Sequence, residues 1–116
     1  MSHFSTLRTK ITDAEVLKQS LRDLGISVKT DAEIRGYNGQ RLRADLVAEL
    51  DGDYDLGWSR NADGSFDLIA DLWGVAKKHN QTELINSINQ KYAVNKTLAE
   101  VRRPGLSNAN VKLVLQ

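Results

Sequence analysis

Three aspartates alternate along the chain, at Asp51, Asp53 and Asp55. In an extended strand their carboxylates point the same way, spaced about 7 Å apart by the rise of a β-chain. An oxygen-rich row of that kind suits a divalent cation and, through it, metal-dependent catalysis. The calcium-loop pattern, however, needs glycine at its sixth position and glutamate at its twelfth, where this chain has Leu56 and Ala62. Asp51, Asp53 and Asp55 therefore stand as candidates for a metal site of another kind, against the plainer reading of an Asp-Gly-Asp turn in water.

Other chemistry has less to draw on. The two histidines, His3 and His79, lie far apart in sequence, beside no obvious nucleophile. The absence of cysteine removes disulfides, thiolate metal sites and cysteine nucleophiles, and fits a reducing compartment. No Gly-x-Ser-x-Gly elbow, phosphate-binding loop or dinucleotide fingerprint occurs. No catalytic residue and no cofactor is expected.

Binding is better represented. Lys77, Lys78, Lys91, Lys96, Arg102 and Arg103 punctuate the region of a second long helix and could track a phosphate backbone, although a solvated helix face is the plainer reading. No aromatic stacking motif of the kind that reads RNA accompanies them. Trp58 belongs to an alternating strand and is expected in the core. Trp73 lies between a strand and a helix, where an aromatic ring can anchor a partner. A loop from Arg35 through Tyr37 and Asn38 to Gln40 is the other candidate contact element.

The elements that must position these residues follow from periodicity. Phe4–Ile11 reads as a strand. Thr12 and Glu15 have capping-box spacing, and Ala14, Leu17, Leu21 and Leu24 give a helix stopped by Gly25. Gly36, Asn38 and Gly39 mark a loop or irregular hairpin. Leu42, Ala44, Leu46, Ala48 and Leu50 then form the core face of a strand whose other face, with Arg43, Asp45, Val47, Glu49 and Asp51, is expected to be wet. Strands through Tyr54–Trp58 and Phe66–Ala70 flank a turn at residues 61–64. Asn80 with Glu83 opens the second helix, which runs to about Arg103 with a bend or breaks near Ala93, and Pro104-Gly105 ends it. Val111, Leu113 and Leu115 predict a short final strand.

This order argues one domain over residues 1–116: an α+β two-layer sandwich, with a mostly antiparallel sheet and two helices on one face, in a ferredoxin-like or related arrangement. Size and composition agree, with 116 residues, 41% of them hydrophobic and 27% charged. The N-terminus lacks a secretory apolar run and no 18-residue apolar stretch occurs, so neither export nor a membrane span is expected. The net charge of +1 hides a division: residues 1–43 carry 8 basic and 5 acidic groups, residues 44–71 carry 1 and 8, and residues 72–116 carry 7 and 2. Such a split either steers a partner, drives self-association into a homo-oligomer, or is neutralised inside the fold by packing of the acidic meander on the basic helix.

Several short motifs occur together: Ser2-His3-Phe4-Ser5 with Thr9-Lys10-Ile11, Arg35-Gly36-Tyr37-Asn38-Gly39-Gln40, Tyr54-Asp55-Leu56-Gly57, Asp71-Leu72-Trp73 and Gln90-Lys91-Tyr92-Ala93. By them the chain resembles the hypothetical chloroplast reading frame thirty-five family of cyanobacteria and red-algal plastids, a domain of unknown function. The resemblance implies a photosynthetic setting, cytoplasmic or stromal, and supplies no catalytic residues. Against that family the chain is shorter after the second helix and between Trp73 and that helix. The functional expectation is a non-catalytic accessory or assembly factor that binds a larger protein through Arg35, Tyr37, Asn38, Gln40 and Trp73. A nucleic-acid-binding regulator using the basic helix is the alternative, and a metal-dependent enzyme the second.

Overall fold

A computed structural model describes residues 3–102. Five antiparallel strands form one sheet in the order β1-β5-β4-β3-β2, with β1 Ser5–Arg8, β2 Ser27–Arg35, β3 Arg41–Glu49, β4 Asp55–Arg60 and β5 Phe66–Ala70. Helices α1 (Ala14–Asp23) and α3 (Gln81–Val101) supply the apolar side chains that cover one face, and the four-residue α2 (Leu72–Val75) links β5 to α3. The α+β class read from periodicity is the one observed. The final strand expected around Val111, Leu113 and Leu115, the Pro104-Gly105 stop and Arg103 lie outside the described residues.

Local chemistry sets the helix ends. Asp13, not Thr12, caps α1: its Oδ1 accepts the amides of Glu15 and Val16 at 3.1 and 3.2 Å. Thr12 is taken by a different partner, because the Tyr92 hydroxyl of α3 accepts the amides of both Thr12 and Asp13 at 3.1 Å. At the other end Gly25 adopts φ +75°, and the bonds Gly25 N–H to Arg22 O and Ile26 N–H to Leu21 O close a Schellman motif. Asn80 caps α3 by accepting from the Glu83 amide at 3.1 Å, as its spacing predicts. The helix then continues without a break through Ala93 to Val101.

Between sheet and helices lies the main core, in which Leu46, Leu56, Trp58, Phe66 and Leu68 meet Leu17, Leu21, Val75, Ile88 and Tyr92. Trp58 is buried there as expected. Burying each large apolar side chain contributes about 1.5–3 kcal/mol against leaving it in water, which makes this cluster the chief source of stability.

The opposite sheet face departs from the expected wet surface. Val47, placed there by alternation, is only 1% exposed, and it joins Ile34, Ala44 and Ile69 in a second cluster flanked by Phe4 and Ala32. The explanation lies in the β2–β3 hairpin. Val28 and Leu46 belong to the helix-side core, yet Ile34 and Ala44, an even number of residues away, belong to the second cluster. A regular strand keeps such residues on one face, so the hairpin must turn over between them. Asp31 sits at the crossing with φ +47°, between the register pairs Thr30↔Leu46 and Ala32↔Ala44. Beyond it the distal half of the hairpin folds across the back of β4, and Leu42, expected in the core, is left 40% exposed.

Two glycines permit this cover. A Cβ on Gly57 would overlap Ile34 Cδ1, and one on Gly36 would overlap the Phe4 ring. Gly57→Ala is therefore expected to destabilise the protein by about 1–3 kcal/mol in urea melts, the range for overpacked cores. Adding Ile34→Ala should cost less in that background than in the wild type, and strictly additive losses would show that the hairpin does not lie on β4.

The α1 cap also sets a pH dependence. Burial pushes the Asp13 carboxyl up, but the Val16 amide, Lys96 and the Glu15 amide outweigh it and hold the group below its ordinary value. A carboxyl depressed in the folded state stabilises above its unfolded pKa of about 4 and loses that contribution as pH falls through the folded value. Melting temperature should therefore drop on acidification below about pH 4. Asp13→Asn, which keeps a cap oxygen without the charge, should be less stable than wild type at neutral pH and converge with it in acid. Parallel pH profiles for the two proteins would refute this role.

Candidate interaction surface

The folded hairpin carries the Arg35–Gln40 segment across the sheet toward the β5–α2 junction. Arg35 anchors its base. The guanidinium donates from Nε to Asp55 Oδ2 at 2.9 Å, from Nη2 to Asp55 Oδ1 at 2.8 Å and to Leu50 O at 3.0 Å, and from Nη1 to Gly52 O at 2.8 Å. The Arg35 amide also donates to Asp55 Oδ2 at 2.9 Å, and the Leu50 amide donates to Oδ1 at 3.3 Å. Asp55 is buried, and its hydrogen bond raises the pKa of Arg35 above the usual guanidinium value. Arg35 was expected to touch a partner; here its donors are spent inside the fold, where they fix the loop's starting point.

From that base the chain makes a single 3-10 turn, Tyr37–Gly39, in which Asn38 and Gly39 adopt φ +55° and +76°. These are the residues chosen from sequence as tolerant of positive φ. Tyr37, Asn38 and Gln40 are exposed.

Asp71 then joins this turn to Trp73. It is only 1% exposed; its Oδ2 accepts the Tyr37 amide at 3.1 Å, and its Oδ1 accepts the Gly74 amide at 3.1 Å as the cap of α2. One carboxylate thus ties together two elements 34 residues apart. Trp73 is 56% and Tyr37 40% exposed. The Lys77 ammonium lies 4.3 Å from the Trp73 ring centroid and 5.7 Å from that of Tyr54, a cation–π geometry that orients the indole. Gly74 is required because any Cβ there would enter the Tyr54 ring.

The sequence pattern placed Lys77 in the basic stripe rather than over Trp73, and it did not show the bridging role of Asp71. The signal was present, since Asp71 stands three residues before Gly74, the spacing of an N-cap.

The other sequence candidates disperse. Asp55 points inward to Arg35 while Asp51 and Asp53 are exposed, so the three aspartates do not converge; the turn between β3 and β4 bends the chain at Gly52, with φ +99°. Among the described residues no group of three His, Cys, Asp or Glu side chains is placed to hold an ion. Asp51 and Asp53 instead line a crevice of about 190 Å³ with Lys77, Lys78 and His79, and His79 Nε2 lies 3.2 Å from Asp51 O. Acidic and basic segments therefore meet at this end of the sheet.

The basic residues do not form one free stripe. Lys96 pairs with Asp13 and Glu100, each at 3.3 Å, and those partners raise its pKa, Glu100 most strongly. Lys77 stands over Trp73, Lys78 lies against Gly52, and Arg102 lines the α1–α3 surface groove. Neutralisation within the fold is thus real, but it runs through scattered pairs rather than a meander packed on the basic helix.

Fold and surface together define a small α+β domain that presents two exposed aromatic rings on a braced patch. The chain belongs to the family described as protein of unknown function (DUF1257), whose model matches residues 20–112. It is similar to proteins named uncharacterized protein ycf35: 34% identical to that of Guillardia theta over all of this chain and 97% of the relative, and 26% and 24% identical, at the same coverage, to those of Pyropia yezoensis and Cyanophora paradoxa. The family read from short motifs is therefore the family found. No solved structure matches this chain significantly. No helix among the described residues is long and apolar enough to cross a membrane.

Asp71→Ala should leave the Tyr37 and Gly74 amides without their acceptor, at a cost of about 1–3 kcal/mol. Hydrogen exchange should quicken at both amides together. Exchange that changes at only one would show that Asp71 does not couple the two elements.

Proposed function

We propose that this protein is a non-catalytic interaction domain, an accessory or assembly factor of a photosynthetic cell, that docks a larger protein on the patch of Tyr37, Asn38, Gln40 and Trp73. The observation that carries the reading is the Asp71 bridge, which holds two exposed aromatic elements in one arrangement. Interfaces concentrate their energy in such rings, and rings held in place before binding lose little freedom on contact. Lys77 stacked on Trp73 adds a positive charge beside that ring, favouring an acidic partner surface. The similar proteins from three algae support a cytoplasmic or stromal place of action.

The test is affinity capture of tagged protein from a photosynthetic lysate, at low and high salt, with and without nuclease. The reading expects a stoichiometric, nuclease-resistant protein partner. Trp73→Ala should weaken its retention by at least about tenfold, as for a hot-spot residue, and should leave the melting temperature within a few degrees because the ring is mostly in water. A partner lost on nuclease treatment would favour nucleic-acid binding through Lys77, Lys78, Lys91 and Arg102. Recovery of the bait alone would overturn the proposal.

A further inference from the structure

A second surface lies along the outer edge of β1, whose Ser5 end pairs with Ala70 next to the Asp71 bridge and whose other end runs away from it. β1 is the first strand in the sheet order, so only its β5 side is paired among the described residues. The Thr9 amide donates to Phe66 O of β5. Because amide directions alternate along an antiparallel strand, the N–H groups of Thr6 and Arg8 point away from the sheet. Above this edge α3 overhangs. A groove of about 890 Å³ follows residues 7–11 and is walled by Ile85, Tyr92 and Ala93, which share one helical face. Leu7, 44% exposed, opens into it.

Cations dominate the groove. Its lining carries Arg8, Lys10 and Lys96 and no carboxylate. Lys96 is engaged by Asp13 and Glu100, while Arg8, which stands opposite Asp67 in the register with Asp63 nearby, and Lys10 are exposed at the rim. An unpaired strand edge beside an apolar groove is the geometry of strand addition, in which main-chain bonds give affinity and alternate side chains give selectivity.

We propose that the β1 edge accepts an extended segment of another protein that alternates apolar with acidic residues. The apolar side chains enter the groove beneath α3, and the carboxylates on the other face lie beside Arg8 and Lys10. The cationic rim distinguishes this occupant from two others. A second copy of the chain, edge to edge, would set the same cations against one another, a repulsion that proteins use to guard exposed edges. The chain's own residues 103–116 carry Arg103 and Lys112 and no acidic side chain, so they lack the complementary charge.

The experiment titrates the ¹⁵N-labelled full chain with a synthetic ten-residue peptide alternating valine with glutamate, followed by NMR. Saturable shifts should be confined to residues 6–11, Leu68, Tyr92 and Ala93, the Thr6 and Arg8 amides should become protected from exchange, and affinity should fall with added salt. Thr6→Pro removes an outward amide without removing a sheet bond and should weaken binding about tenfold. The double variant Arg8→Glu, Lys10→Glu, which leaves the strand's backbone intact, should lose this peptide and bind one with lysine in place of glutamate. Absent binding, or shifts elsewhere, would overturn the proposal. So would Thr6 and Arg8 amides that are already protected in the free chain and released by Leu113→Asp, which would make the chain's own segment the occupant. A concentration-dependent doubling of mass abolished by Thr6→Pro would assign the edge to a second copy instead.

Discussion

The Arg35–Asp55 pair is the constraint on which the rest of the molecule depends. A β-hairpin that turns over at Asp31 and lies across its own sheet must be held down at its far end. That end reaches the start of β4, where Asp55 receives the guanidinium and amide of Arg35 together with the amide of Leu50. Burying a carboxylate is costly unless its oxygens are satisfied, and here both are. The planar fork of arginine matches two carboxylate oxygens at once while its remaining nitrogen reaches a carbonyl, a geometry that a lysine ammonium does not reproduce. Apolar cover alone would bury Ile34 and Val47 but would not fix where the hairpin stops.

Function follows from that stop. With Arg35 fixed, the next two residues arrive beside β5, close enough for Asp71 to accept the Tyr37 amide while capping α2. A buried acid thus passes the hairpin's position on to the tryptophan that follows it. Exposed aromatic rings on a mobile loop would lose conformational freedom on docking, whereas rings on a braced loop and a capped turn lose less. The same economy explains why the glycines at 36, 57 and 74 face Phe4, Ile34 and Tyr54: the layers approach too closely for any side chain between them.

Much of the architecture was legible in the chain. The α1 periodicity, its Gly25 stop, the Asn80 cap and the alternation of β4 and β5 are local signals with local causes, and each reappears in space. Alternation failed at Leu42 because it assumes that a strand keeps its faces, and a single positive φ at Asp31 exchanges them; at Val47 it gave the right face, which the folded hairpin then covers. The aspartate row failed for a related reason: equal spacing implies a common direction only in an extended chain, and Gly52 breaks the extension. At the candidate surface, Tyr37 and Trp73 were visible as residue types, but their proximity depends on a hydrogen bond spanning 34 residues, which no local pattern encodes.

The central claim is that the Tyr37 turn and the Trp73 turn act as one docking surface. Hydrogen–deuterium exchange of the full chain, alone and in its captured complex, tests this most directly. Protection on binding is expected at residues 36–40 and 72–77 together, with α3 beyond Asn86 unchanged. Protection confined to one of the two segments, or centred on the α3 lysines, would contradict it.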